Sequence, residues 1–139
     1  MMTEKELFGY IGAVRSYRRA QERVWEFEAG AYSASAPNLT QTPPQHSYDS
    51  DKAAVIADRL SQLRKRELES YKRLAYFEEL MIHIEGLLKT EAERDFLQLR
   101  YRKGLTISAI ARRLHRSRSS LYRDREQILE KIADIKIAQ

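Results

Sequence analysis

Residues 106–125 read TISAIARRLHRSRSSLYRDR, and this stretch decides how the rest of the chain is understood. Thr106 is an N-cap ahead of Ile107, Ile110, Ala111 and Leu114, which recur at i, i+3, i+4 and i+7 as one apolar stripe. Ser117 is a second N-cap, and the inner stripe resumes at Leu121, Ile128, Ile132 and Ile135. The pattern predicts two amphipathic helices joined by the turn His115-Arg116-Ser117. Ala111 lets them pack closely, because a large side chain there would hold them apart. His115 stands where the turn usually has Gly, and His can enter the left-handed backbone region there at some cost.

Working outward, Thr90 with Glu93 forms a capping-box pattern and opens a helix through about Arg102, stopped by Gly104. Ala92, Phe96 and Leu99 form its inner face, with Leu97 and Tyr101 beside them. At the other end, Thr3 with Glu6 opens a first helix that is expected to run to about Glu28 and stop at Gly30. Residues 30–50 contain Pro37, Pro43 and Pro44 among Ser, Thr and Gln, and read as a flexible loop. Ser50 is the expected N-cap of a long helix reaching Leu88, with Asp51 in its first turn.

That long helix carries a heptad seam: Ile56, Leu60, Leu63, Glu67, Ser70, Leu74, Phe77, Met81, Ile84 and Leu88, alternating steps of four and three, with a polar interruption at Glu67 and Ser70. Either the first helix folds back over the seam, or a second subunit covers it as a homodimer. The first helix offers Leu7, Ile11 and Val14, with Tyr10, Tyr17 and Val24 beside them, but it is too short to cover the whole seam. The expectation is that it covers part, leaving the remainder to a second subunit or to the C-terminal helices. Trp25 and Phe27 are expected to pack against the long helix, the sharper alternative being an exposed anchor for another protein. No alternating strand-length run occurs. The expected fold class is all-α: a long N-terminal helical hairpin or coiled coil (helix 1–29, loop 30–50, long helix 51–89), then a small helix-turn-helix domain at 90–139.

The charge is unevenly spread. Residues 1–90 balance 13 Lys/Arg against 13 Asp/Glu, whereas residues 91–139 hold 12 against 7 and so carry the whole formal excess of +5. Arg100–Arg125 alone holds nine basic residues and one acid, Asp124, a field suited to phosphates. A second helix docked in the major groove turns its N-terminal residues to the bases. On that geometry Arg118, Ser119, Tyr122 and Arg123 are the expected base contacts, an Arg being able to donate a bidentate pair to guanine O6 and N7. Arg102, Lys103, Arg112, Arg113, Arg116, Ser117, Ser120 and Arg125 are the expected phosphate contacts, which set register without reading sequence.

Other chemistries find little footing. With no cysteine, disulfides and thiolate zinc sites are excluded. His46, His83 and His115 lie in three different regions, and no Gly-rich phosphate loop, nucleophile elbow or metal-ligand spacing occurs. The chain is therefore expected to be no enzyme and to use no metal or cofactor. No run approaches the roughly 18 apolar residues that span a bilayer, and MMTEKELF has no signal-peptide order. No membrane partner and a cytoplasmic setting are expected.

The stretch from Arg94 to Lys131 resembles region 4 of bacterial sigma factors, and resembles still more the phage-encoded ArpU/RinA-type late transcriptional regulators of Gram-positive bacteria. The matching residues are Leu99, Arg100, Tyr101, Gly104, Leu105, Thr106, Ile110, Ala111, Ser117, Arg118, Ser119, Ser120, Leu121, Tyr122 and Arg123. The clear match covers about a quarter of the chain. The resemblance implies a sequence-specific DNA-binding transcriptional regulator in a bacterial host, acting on double-stranded DNA, and the N-terminal helices are expected to dimerise or to contact RNA polymerase. Arg116 and Asp124 depart from it, standing where similar proteins often have apolar residues. The small domain is therefore expected to lean on the long helix or on a partner for its core. Two alternatives remain open: a helical protein-interaction module acting on RNA polymerase, and a phage DNA-packaging small subunit.

Overall fold

The computed structural model describes residues 2–41 and 46–135, with the side chains of 31–41 and 46–50 outside the description. Every element among the described residues is helical. In chain order they are α1 (Glu4–Leu7), α2 (Gly9–Gln41), α3 (His46–Leu87), α4 (Glu91–Leu97) with a π-helical turn at Gln98–Arg102, α5 (Ile107–Leu114) and α6 (Arg118–Ala133).

The helix starts follow from side-chain caps. The Thr3 hydroxyl accepts from the Glu6 amide while the Glu6 carboxylate accepts from the Thr3 amide, a reciprocal box. Thr90 accepts from Glu93, Thr106 from Ala109 and Ser117 from Ser120, each at 3.2 Å. Each bond satisfies an amide that the first helical turn leaves without a partner. Ser50, expected as a cap, instead lies inside α3.

Two further expectations are corrected. The first helix is not continuous from Thr3, since Phe8 separates α1 from α2. At the break, a Cβ on Gly9 would come within 2.7 Å of the Phe77 ring, so glycine permits the close approach of α2 to α3 there. The stretch 30–50, expected as a loop, is helical as far as Gln41 and again from His46, and only 42–45 lie outside the described residues. Ala29, Ala31, Ala34 and Ala36 are strong helix formers around Gly30 and carry the helix past it, against a glycine cost of about 1 kcal/mol.

The chain divides into two compact units. The terminal unit comprises the residues up to Val14 together with those from Leu74 onward, and the middle unit is Arg15–Arg73. The C-terminal helices therefore do not form a body of their own beginning at residue 90. Leu121, Ile128 and Ile132 of α6 and Ile110 of α5 share one core with Phe96, Leu97, Leu99 and Tyr101, with Met81, Ile84 and Leu88, and with Met2, Leu7 and Tyr10. Burying these side chains is the main stabilising contribution. In the middle unit, Glu28 pairs with Arg64 at 2.6 Å and the Tyr17 and Tyr71 rings meet at 5.6 Å, so α2 and α3 run antiparallel there.

All ten seam positions of α3 are buried or half-buried, including Glu67 and Ser70. α2 supplies part of that cover, Phe77 approaching Gly9 in the terminal unit and Tyr71 meeting Tyr17 in the middle unit, while Met81, Ile84 and Leu88 pack in the core that the C-terminal helices share. Trp25, expected inside, is 70% exposed, whereas Phe27 is half-buried. Val24 occupies the inward position instead, and the next residue of a helix points about 100° away.

Candidate nucleic-acid interface

The α5–turn–α6 segment is shaped by backbone chemistry. His115 adopts φ 53° and ψ 46°, the left-handed conformation its position requires, and the Arg116 amide donates back to the Ala111 carbonyl at 3.1 Å. This closes α5 and turns the chain into the Ser117 cap. Just upstream, Gly104 takes φ 74°, and a Cβ there would meet Ile11 Cδ1 at 3.0 Å. Glycine is needed at that point both for its backbone angle and for the approach of α2. The Lys103 amide bonds the Gln98 carbonyl, five residues back, which sets the π turn.

α6 presents two faces. Leu121, Ile128 and Ile132 are fully buried, whereas Arg118, Ser119, Tyr122 and Arg123 are all exposed, Tyr122 by 50%. These are the four residues expected to meet bases, and they share the first two turns of α6. Lys103, Arg112 and Arg113 are exposed as well, as is the Ser117 residue whose hydroxyl serves as the cap. Among the described residues, Lys103, Arg112, Arg113, Arg118 and Arg123 form no ion pair.

Four expected phosphate contacts, Arg102, Arg116, Ser120 and Arg125, are engaged within the chain instead. Arg116 reaches along α6 to the Asp124 carboxylate and the Ser120 hydroxyl. Arg116 and Asp124 thus pair with each other, and a half-buried ion pair ties the turn to α6. Arg125 pairs with Glu4 at 2.8 Å and with Glu126 at 3.1 Å, linking α6 to α1. Arg102 pairs with Glu78 at 3.1 Å, lies over the Tyr10 ring at 5.1 Å and donates to the Tyr10 hydroxyl, which itself donates to Glu78 at 2.6 Å. Ser120 is half-buried under Arg116. These contacts position the segment and lower the availability of Arg102, Arg116, Ser120 and Arg125 to a ligand.

Glu4, Tyr10 and Glu78 are the positioning residues that sequence reading missed. Their partners lie far away in the chain, 121 residues in the case of Glu4 and Arg125, and no local spacing signals such a pair. Burial, with the Glu4 carboxylate nearby, pushes the Tyr101 phenol well above its ordinary value. Burial and the bond to Glu78 push up Tyr10. Both phenols are therefore neutral parts of the core. Among the described residues no cluster of His, Asp and Glu has the arrangement to hold a metal ion, and no helix is long and apolar enough to cross a membrane. No family model, curated protein or solved structure matches the chain.

Proposed function

We propose that this chain is a sequence-specific DNA-binding transcriptional regulator that uses α5, its turn and α6 as a helix-turn-helix. The N-terminal half of α6 enters the major groove, Arg118, Ser119, Tyr122 and Arg123 read base edges, and Lys103, Arg112 and Arg113 grip phosphates. One observation carries the reading: α6 buries Leu121 and Ile128 while exposing Arg118, Ser119, Tyr122 and Arg123 in its first two turns. A helix fixed by its apolar side in this way presents its donors at low entropic cost. The likeness to ArpU/RinA-type regulators extends the proposal to a phage or prophage origin and a bacterial cytoplasm, and the N-terminal helices either form a homodimer or contact RNA polymerase. The test is selection from a random duplex pool, followed by a salt titration of the recovered sequence against unselected DNA. The expected outcome is a defined motif bound on the order of 10³-fold or more above bulk DNA. Weak binding, equal for all sequences and lost steeply with salt, sinks sequence-specific recognition.

A second reading, a protein-interaction module acting on RNA polymerase, draws on Trp25. An indole 70% exposed on α2 is the type of anchor that protein interfaces use. On that reading Trp25→Ala abolishes polymerase pull-down while Arg118→Ala leaves it intact. On the regulator reading Arg118→Ala is the damaging change for promoter binding.

A further inference from the structure

The seam of α3 breaks at Ser70, and the break coincides with a cavity. In the middle unit, α2 and α3 enclose a groove of about 370 Å³. Its floor is apolar and small, with Ala20 and Leu63 buried, and Ser16 and Ser70 stand half-buried beside them. Its rim is Arg19, Arg23, Arg66 and Arg73, against a single acid, Glu69. A leucine at Ser70 would continue the run between Leu63 and Leu74; a serine leaves the space open and puts a hydroxyl there.

The rim differs from an ordinary solvated helix face in two respects. Surface arginines on long helices commonly pair with acids at i+3 or i+4. Among the described residues, Arg19, Arg23 and Arg66 make no ion pair or hydrogen bond. Arg19, Arg23 and Arg66 around one concavity also repel one another, a cost that an anion between them removes. The charge of the molecule follows the same division: the middle unit holds 11 Lys/Arg and 8 Asp/Glu, an excess of +3, so more than half of the formal +5 lies outside the terminal unit.

We propose that this groove is an anion site for closely spaced phosphates, with Arg19, Arg23, Arg66 and Arg73 supplying charge-assisted hydrogen bonds and Ser16 and Ser70 supplying hydroxyl donors. Guanidinium forks match phosphate oxygens in pairs, and a volume of this size lies in the range of small-ligand pockets. Two sources offer that chemistry, a free polyphosphate such as a nucleotide tail and the phosphodiester backbone of nucleic acid. The site is independent of the groove-reading role of α6, because none of its residues belongs to the terminal unit.

Titration calorimetry with inorganic tripolyphosphate at physiological salt tests the proposal on the full chain. Wild type is expected to bind one equivalent, and Arg19→Gln/Arg66→Gln to weaken it at least tenfold. Ser70→Leu is expected to weaken it at least tenfold while raising the melting temperature, since it fills the groove and replaces one of the two polar positions of the seam with an apolar side chain. Lys5→Gln/Lys89→Gln, which removes the same charge from the terminal unit at exposed residues outside the proposed DNA-binding face, is expected to leave it unchanged. No binding at millimolar tripolyphosphate overturns the site. Equal weakening by Arg19→Gln/Arg66→Gln and Lys5→Gln/Lys89→Gln overturns it too, by reducing the effect to net charge, as does full binding by Ser70→Leu. A short duplex lacking the selected motif then separates the two sources. Displacement of tripolyphosphate from Arg112→Gln/Arg113→Gln assigns the groove to a nucleic-acid backbone, and failure to displace assigns it to a free polyphosphate. Neither outcome depends on whether α6 reads sequence.

Discussion

The terminal and middle units are both helical, yet they are held together differently. The terminal unit closes around a continuous core in which Phe96, Tyr101, Met81, Ile84, Leu121, Ile128 and Ile132 are all fully buried. Among the described residues of the middle unit, the buried apolar side chains are Ala20, Val24 and Leu63. The rest of its facing surface is half-buried, and it includes serines and a glutamate. One region is therefore fixed mainly by apolar burial, the other, among the described residues, by a thin seam with the Glu28–Arg64 ion pair and the Tyr17–Tyr71 ring contact at its edges. The difference teaches where rigid presentation of side chains is to be found. A helix intended to place arginines within an ångström of a partner is best anchored to the first kind of core.

The largest expected effect separates the two directly. Phe96→Ala should destabilise the terminal unit by about 3–5 kcal/mol, whereas Leu63→Ala should cost about 2 kcal/mol and speed hydrogen exchange only within α2 and α3. Equal costs, measured by denaturant unfolding with exchange read residue by residue, would erase the contrast. Next in size are the exposed cations of the terminal unit. Arg118→Ala should lose about 1–3 kcal/mol on the selected site and relax base preference, while Arg112→Ala should weaken all duplexes alike and lower the salt slope by about one. A uniform loss from both variants would break the division into base and phosphate contacts.

A smaller effect distinguishes arginines that hold the fold from those that are free to hold a ligand. Arg116→Ala leaves the half-buried Asp124 carboxylate without its partner and should cost about 1–2 kcal/mol of stability, less than a fully buried pair because water still screens it. Arg118→Ala should leave the melting temperature unchanged. If the two variants melt alike, Arg116 is not structural. The smallest effect appears at high pH. Tyr101 and Tyr10 have phenols raised above the usual value near 10. A group raised by folding lends stability that is complete below its unfolded value and is lost as pH rises through the folded one. Stability should therefore hold through neutral pH and fall above about pH 10, in the terminal unit first. Tyr101→Phe should flatten that fall, and an unchanged alkaline profile would show that Tyr101 is not its source.

Local signals were legible where the physics is local. Thr3, Thr90, Thr106 and Ser117 announced helix starts because each cap bond spans three residues. His115 marked the turn because only a left-handed residue closes α5 there. The seam of α3 was readable from spacing alone, since heptad positions fall on one side of any helix. Residues 30–41 and 46–50 are helical where a loop was expected, because Gly30 and Pro37 lower helix propensity without forbidding the helix, and propensity is a weak prior; Pro43 and Pro44 lie outside the described residues.

By itself the sequence determined an all-helical chain, its caps, the apolar stripes of α5 and α6 and the location of nine basic residues within Arg100–Arg125. Those features depend on neighbours three or four residues away, within reach of a single helical turn. Only the tertiary structure decided that Arg102, Arg116 and Arg125 are tied to Glu78, Asp124 and Glu4, that Trp25 faces outward, that Ser70 opens a cavity ringed by arginines, and that the last helices share a core with the first fourteen residues. An arginine looks the same in a sequence whether it is paired or free. What separates the two states is the approach of a carboxylate brought from elsewhere in the chain, and that approach is set by how the helices pack.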